Sequence, residues 1–131
     1  MAMSNYLETA VLNLLRGVSF TPPTTVYIAL YTNDPTDADI GTEVAAVDYA
    51  RQKITFGEPT QGADGKAKIA NDIEIAFPKA GTDWGTITHI GFRDAATGGN
   101  LLYYGALANP KKIDAGDRFR AMVGDFTLKL G

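Results

Sequence analysis

The stretch that decides the fold is TVYIALYT, residues 25–32. It combines β-branched and aromatic residues, which fit the pleated surface of a sheet. Its side chains are apolar at both odd and even positions, whereas a strand with one wet face alternates apolar and polar residues. The stretch therefore predicts a central β-strand that is buried on both faces.

The clearest hairpin lies further along the chain, where strand-like residues 85–93 and 101–107 flank a short turn. Gly98 and Gly99 in that turn can take the positive φ angles that a tight hairpin connection requires. These two segments are therefore predicted to pair as neighbouring antiparallel strands.

Other strand-like segments recur at spacings of about ten residues, with turn signals between them. This spacing is typical of a β-sandwich or β-barrel. Segments 66–70 and 73–77 are predicted to pair, with Ile73, Ile75 and Phe77 pointing inward. The remaining predicted strands are residues 49–56, 118–123 and 126–130.

One amphipathic helix is predicted over residues 4–16, because Gly17 can end it and Ser4 or Asn5 can cap its start. Glu8 follows Asn5 by three residues, the spacing of a capping box. Apolar residues recur there at three- and four-residue spacing; they are Leu7, Ala10, Val11, Leu14 and Leu15.

The order of these elements predicts the fold class. Strand follows strand without intervening helices, which excludes a parallel sheet, since each parallel crossover needs a dozen or more residues. We expect an all-β fold: an antiparallel β-sandwich, jelly-roll-like, with one short N-terminal α-helix and a closed barrel as the alternative. Residues 1–131 are expected to form a single domain, with the helix in 1–17 and the sandwich in 25–131.

Composition narrows the function classes. Hydrophobic residues make up 45% and charged residues 21%, the balance of a globular protein. A net charge of −3 with scattered lysines and arginines argues against nucleic-acid binding, and no apolar run is long enough to span a membrane. The start of the chain lacks the basic region of a signal peptide. The absence of cysteine excludes disulfides and thiolate chemistry.

The sequence offers little for catalysis. His89 is the only histidine, and Ser4 and Ser19 are the only serines. A nucleophile needs a base beside it, and zinc draws on several histidines or cysteines. His89 is expected to share a strand face with Ile87 as a packed or interface imidazole. No catalytic residue, cofactor or metal site is predicted, and the protein is expected not to be an enzyme.

The long loop of residues 33–47, called the acidic loop below, carries carboxylates that could attract a hard cation such as calcium. Their order does not match the twelve-residue calcium loop, so we expect a solvated acidic loop instead. The carboxylates are Asp34, Asp37, Asp39 and Glu43.

Two aromatic features allow alternative interpretations. Residues 101–104, LLYY, are apolar on both faces, so one face is expected to lie either against a partner or under the N-terminal helix. Trp84 sits between Gly81 and Gly85, where it could form a sugar-binding platform or cap the core.

Nearly the whole chain, from the N-terminal helix onward, resembles a family of small bacteriophage structural proteins usually labelled phage tail fibre protein, a label also attached to head-decoration or cement proteins. The resemblance implies a virion component and supplies no catalytic residues. The segments that carry it are 25–37, 41–44, 49–52, 77–78, 84–89, 94–95, 98–102 and 115–117, with Ile113.

The leading hypothesis is a capsid decoration or cement protein on the outside of the head, made in the host cytoplasm. A tail or tail-fibre module is the first alternative, and a carbohydrate-binding sandwich is an alternative of another class. Expected partners are copies of the chain, as a homo-oligomer in the particle, and other virion proteins such as the major capsid protein. Candidate assembly contacts are Leu7, Val11, Leu14, Asp34, Asp37, Tyr103 and Tyr104.

Overall fold

The computed structural model describes all residues, 1–131. It confirms the predicted fold class, because the chain forms antiparallel sheets and one short helix. In chain order the elements are β1 (Ala2–Met3), α1 (Asn5–Leu15), β2 (Val26–Tyr31), β3 (Gln52–Ile54), β4 (Thr60–Gln61), β5 (Ala67–Ala70), β6 (Ile75–Ala76), β7 (Gly85–Arg93), β8 (Leu101–Ile113), β9 (Arg120–Ala121) and β10 (Thr127–Leu130).

The main sheet has five strands in the order β1-β8-β7-β2-β3. Strand β2 lies between β7 and β3, and its residues Ile28, Ala29, Leu30 and Tyr31 are all buried. The prediction of a central strand buried on both faces is therefore confirmed. One face of this sheet lies against the core, and the other lies under α1 and the acidic loop.

The β7–β8 hairpin is confirmed, but β8 continues six residues beyond the predicted end. The register shifts between Ile87 and His89, because four residues of β8, 107–110, bulge opposite Thr88. Ile87 and Ile90 consequently both face the core. The prediction that His89 shares a face with Ile87 is wrong, since the bulge turns His89 to the opposite face, towards Asp34.

The second layer consists of a three-stranded sheet, β10-β5-β4, and a two-stranded sheet, β6-β9. The predicted pairing of 66–70 with 73–77 is wrong, because β5 pairs with β4 and β10 while β6 pairs with β9. The expectation for Ile73 is also wrong, since 39% of it is exposed.

The buried side chain of Asn71 explains that division. Its amide nitrogen donates to the carbonyl oxygens of Ile73 and Met122, and its oxygen accepts from the backbone N–H of Phe126. These bonds hold the chain in a turn between β5 and β6 and bind that turn to the one before β10. Residues 71–73 therefore leave one sheet and enter the other.

The core between the two layers is a cluster of 16 buried residues. Phe77 lies among aromatic rings, stacked on Tyr49 and edge-on to Trp84 and Phe119.

Trp84 is only 4% exposed, so it caps the core and cannot serve as the sugar platform considered above. Its ring N–H donates to Asp48, which also accepts from Thr82 and Gly81. The hydrogen bond from the Thr82 side chain is the main reason that the pKa of Asp48 falls to about 2.

Helix α1 begins as expected at Ser4, whose hydroxyl oxygen accepts from the backbone N–H of Leu7 at 3.2 Å. The capping box with Glu8 is wrong, because a cap at Ser4 places Leu7 at its third position. No residue of the helix is fully buried. None of the helical structure reaches the length and hydropathy of a membrane-spanning segment.

Candidate assembly surface

The layer over the outer face of the main sheet contains most of the predicted contact residues. The start of α1, the acidic loop and the β7–β8 turn meet there. Ser4 donates from its backbone N–H to Leu102 and from its hydroxyl to Leu101, while Asn5 donates to the carbonyl of Asp37. The N-terminal segment therefore covers the start of β8, as one of the two interpretations of residues 101–104 expected.

Arg93 fastens the acidic loop to the β7–β8 turn. Its guanidinium forms two parallel hydrogen bonds with Asp39, at 2.7 and 2.8 Å, and a third with the hydroxyl of Tyr31. It also donates to the carbonyls of Gly98 and Gly99. All five guanidinium N–H groups are thus satisfied, and the side chain is only 9% exposed.

Arg51 repeats this arrangement beside it. Its guanidinium forms two hydrogen bonds with Glu43, at 2.8 and 2.9 Å, and donates to the carbonyls of Ala95 and Gly98. The hydroxyl of Tyr49 donates to the same Glu43 carboxylate at 2.6 Å. We call Arg51 and Arg93 together the arginine clamp, since both hold the same turn against the acidic loop.

The ionisation of these groups follows from burial and charge. Burial alone would raise the pKa of Glu43, but the hydrogen bonds from Arg51 and Tyr49 outweigh it and leave that pKa below its ordinary value. Burial, together with the neighbouring Glu43 carboxylate, raises the pKa of Tyr49. The clamp therefore joins charged arginines to an ionised Glu43 and a neutral Tyr49 at neutral pH.

The clamp holds a loop that contains backbone strain. Thr36 and Asp39 are the two non-glycine residues with positive φ, at 57° and 58°. A β-branched residue such as Thr36 rarely adopts this conformation, which persists only where surrounding contacts impose it. The paired Asp39 and the hydrogen bond between Thr36 and Asp34, 2.9 Å from N–H to carboxylate, supply those contacts.

The carboxylates of the acidic loop are divided among separate partners. Asp39 and Glu43 pair with the clamp, and the hydroxyl of Tyr104 donates to Asp37. That hydrogen bond is the main reason that the pKa of Tyr104 rises to about 12. Asp34 lies 4.0 Å from the imidazole of His89. No group of three or more potential ligands stands close enough together to hold a metal ion.

The predicted contact residues divide into two groups. Asp37 and Tyr104 are hydrogen-bonded to each other, and Asp34 lies near them. Leu7 and Val11 are half-buried and Leu14 is 52% exposed, so the predicted apolar stripe is only partly covered. Tyr103 points to the other side of the sheet, where it lies against the core and its hydroxyl donates to the carbonyl of Lys129 at 2.9 Å.

Sequence reasoning missed the arginine clamp. Arg51 and Arg93 lie within predicted strands, where arginine is usually a solvent-facing residue. The only signal in the sequence was that a hairpin fold would bring both arginines near the glycine-rich turn and the acidic loop. That signal identifies no particular partner.

In this small β-sandwich the two least exposed arginines, Arg51 and Arg93, hold its own loops in place, which suits a structural protein. The comparison with protein families agrees. The family described as Podophage GP4 fiber I protein gp80 matches residues 2–129, and the chain belongs to this family of phage fibre structural proteins. It is therefore a virion component, as the resemblance implied. No curated protein matches the chain.

Proposed function

We propose that the chain is a non-enzymatic structural module of a phage tail fibre, the first alternative considered from the sequence. The observation that carries this proposal is the family match, which spans residues 2–129 and names a fibre protein. A match over nearly the whole chain concerns the entire fold rather than one shared segment. The capsid-decoration hypothesis, by contrast, rests on the small size of the module.

The way in which the acidic loop is held also supports a structural role in an assembly. The acidic loop is held by two arginine–carboxylate pairs whose arginines are less than 10% exposed. Bidentate pairs of this kind fix geometry as well as charge. A surface held in one conformation loses little conformational entropy when it joins a neighbour, which favours association.

The ionisable groups also fit a structural role better than a catalytic one. The pKa values of Tyr31, Tyr49, Arg51 and Arg93 are raised, and these four side chains bind one another or the loop carboxylates. His89 has the hydroxyl of Thr88 at 2.8 Å from its Nδ1 and Asp34 at 4.0 Å from its Nε2. Its near neighbours therefore hold the ring on the surface of the sheet.

We propose copies of the chain and other tail proteins as partners.

Immunogold electron microscopy of purified phage tests the location. An antibody raised against the folded chain is expected to label the tail, with an antibody against the major capsid protein as the control for head labelling. Particles from a phage with a stop codon early in the gene should lose the label. Label confined to the head of wild-type particles would contradict the tail proposal and revive the decoration hypothesis.

A further inference from the structure

A groove lies between helix α1 and the segment that follows it; it is lined by residues within 5–13 and by 18–20 and is called the helix groove below. Gly17 ends the helix with a φ of 78°, and the backbone N–H of Val18 donates to the carbonyl of Asn13 at 3.0 Å. The chain consequently turns back along the helix, and residues 18–20 form the opposite wall. The groove has a volume of about 420 Å³, within the range of small-molecule sites.

One wall of the helix groove is a row of neutral polar side chains. Asn5, Thr9 and Asn13 recur every four residues, so they lie one above another on the same face of α1. The side-chain oxygen of Asn13 accepts from Arg16 at 2.9 Å, which leaves its NH₂ group free. The side chains of Asn5, Thr9 and, on the opposite wall, Ser19 make no hydrogen bond within the chain. Amides and hydroxyls therefore offer both donors and acceptors to a ligand.

Two aromatic rings line the helix groove near the start of α1. The ring centroids of Tyr6 and Phe20 are 6.3 Å apart, with the ring planes at 60°. Tyr6 is 41% exposed, so a ligand can still cover part of its ring. An exposed aromatic face packs favourably against apolar C–H groups.

The chemistry of this lining favours an uncharged ligand that carries several hydroxyl groups. No residue that lines the helix groove is charged, so an ionic ligand would lose water without gaining a partner of opposite charge. A purely apolar ligand would strip water from the amides and hydroxyls and return no hydrogen bond. A saccharide meets both conditions, because each hydroxyl can donate and accept while the C–H face of its ring is apolar.

We propose that the helix groove binds an uncharged saccharide, with the sugar ring packed on Tyr6 and the sugar hydroxyls bonded to the polar residues of both walls. This site is separate from Trp84, which is buried. The inference goes beyond the fibre proposal, because it concerns what the chain binds wherever it lies in the virion.

Titration of the ¹⁵N-labelled full chain with single sugars, followed by amide chemical shifts, tests the site. The uncharged probes are glucose, galactose, mannose, rhamnose and N-acetylglucosamine, and glucuronic and galacturonic acids are their charged counterparts. At least one uncharged sugar is expected to bind with a Kd of about 1–10 mM and to shift the amides of residues 5–13 and 18–20. The acidic sugars should bind at least about tenfold more weakly.

Variants of exposed residues locate the contact. Thr9→Ala and Tyr6→Ala should each weaken binding about three- to tenfold, because one loses a hydroxyl and the other loses the ring. Tyr6→Phe keeps the ring and should retain most of the affinity. The matched control is Leu12→Ala, since Leu12 is 64% exposed on the same helix but lies outside the groove, and this variant should bind like the wild type. Alanine favours helix, so Thr9→Ala should remain folded, which circular dichroism checks.

Four results would overturn the site. These are no shift of the groove amides with any of the sugars at about 50 mM, shifts confined to another part of the chain, wild-type affinity in both Thr9→Ala and Tyr6→Ala, or acidic sugars that bind as tightly as uncharged ones. Each concerns the purified chain, so it can fail while immunogold labelling still places the chain on the tail. Conversely, label on the head would defeat the fibre proposal without altering the titrations.

Discussion

The acidic loop and helix α1 lie side by side over the same sheet, and they are held in different ways. The loop is irregular and contains two residues with positive φ, yet buried arginines bind it to the β7–β8 turn. The helix is regular and well capped, yet none of its residues is fully buried. Regular secondary structure is therefore a poor guide to which of the two regions is more firmly fixed.

The difference arises from how each region satisfies its buried charges and its backbone hydrogen bonds. A loop with buried charges must pair them or lose several kcal/mol, so its geometry is imposed by its partners. A helix satisfies its own backbone and needs only enough apolar contact to remain attached. It can consequently leave apolar side chains such as Leu12 and Leu15 exposed.

The largest expected effect comes from breaking the clamp. Arg93→Ala leaves Asp39, the Tyr31 hydroxyl and the turn carbonyls without their donor, which we expect to lower the free energy of unfolding by about 3 kcal/mol. Urea unfolding followed by tryptophan fluorescence measures it. The control is Arg120→Ala, whose exposed pair with Glu74 should contribute less than about 1 kcal/mol. Equal losses in the two variants would show that Arg93 does not clamp the loop.

The second clamp pair should show a pH dependence. Glu43→Gln removes the charge that Arg51 binds, and we expect a loss of about 2 kcal/mol at neutral pH. The folded pKa of Glu43 is lowered, so its stabilisation is present above the ordinary pKa of glutamate, about 4.3, and disappears as the pH falls through the folded value. Thermal melts from neutral pH down to pH ~3 should therefore converge for wild type and variant. A constant gap would refute the assignment.

A smaller effect of opposite sign is expected from relieving the loop strain. Asparagine tolerates positive φ better than threonine and retains a side-chain acceptor for the backbone N–H of Ala38. Thr36→Asn should therefore raise the free energy of unfolding by about 0.5–1 kcal/mol. Thr24→Asn, at an exposed position outside the loop, is the control. A destabilised Thr36→Asn would mean that the threonine methyl group makes a contact worth more than the strain.

The smallest effect should be found on the helix. Leu15→Ala removes a side chain that is 88% exposed, so the stability of the monomer should change by less than about 0.5 kcal/mol. Val11→Ala, which removes a half-buried side chain of the same helix, should cost about 1 kcal/mol. If Leu15→Ala proved the more damaging in dilute solution, the leucine would pack within its own chain.

The elements that periodicity predicts correctly are those with strong local signals. Strand β2 is recognisable because eight consecutive residues suit a buried strand. The β7–β8 hairpin is recognisable because a turn with two glycines separates two strand-like segments. The helix is recognisable from its stripe and its cap at Ser4. Each of these signals lies within one continuous stretch of the chain, which is where local patterning acts.

The features that sequence reasoning missed depend on distant partners. Arg93 and Asp39 are separated by 54 positions, and no local pattern joins them. The pairing of β6 with β9 is decided by Asn71, which binds a carbonyl 51 positions away. The orientation of His89 depends on a bulge in the opposite strand. In each case the tertiary contact overrides the local alternation.

Native-state hydrogen exchange tests the central claim most directly. In dilute, monomeric protein we predict that loop amides such as those of Ile40 and Thr42, which donate to Pro35 and Asn33, exchange more slowly than the amides of α1. A helix that is already as protected as the loop in the monomer would contradict the account.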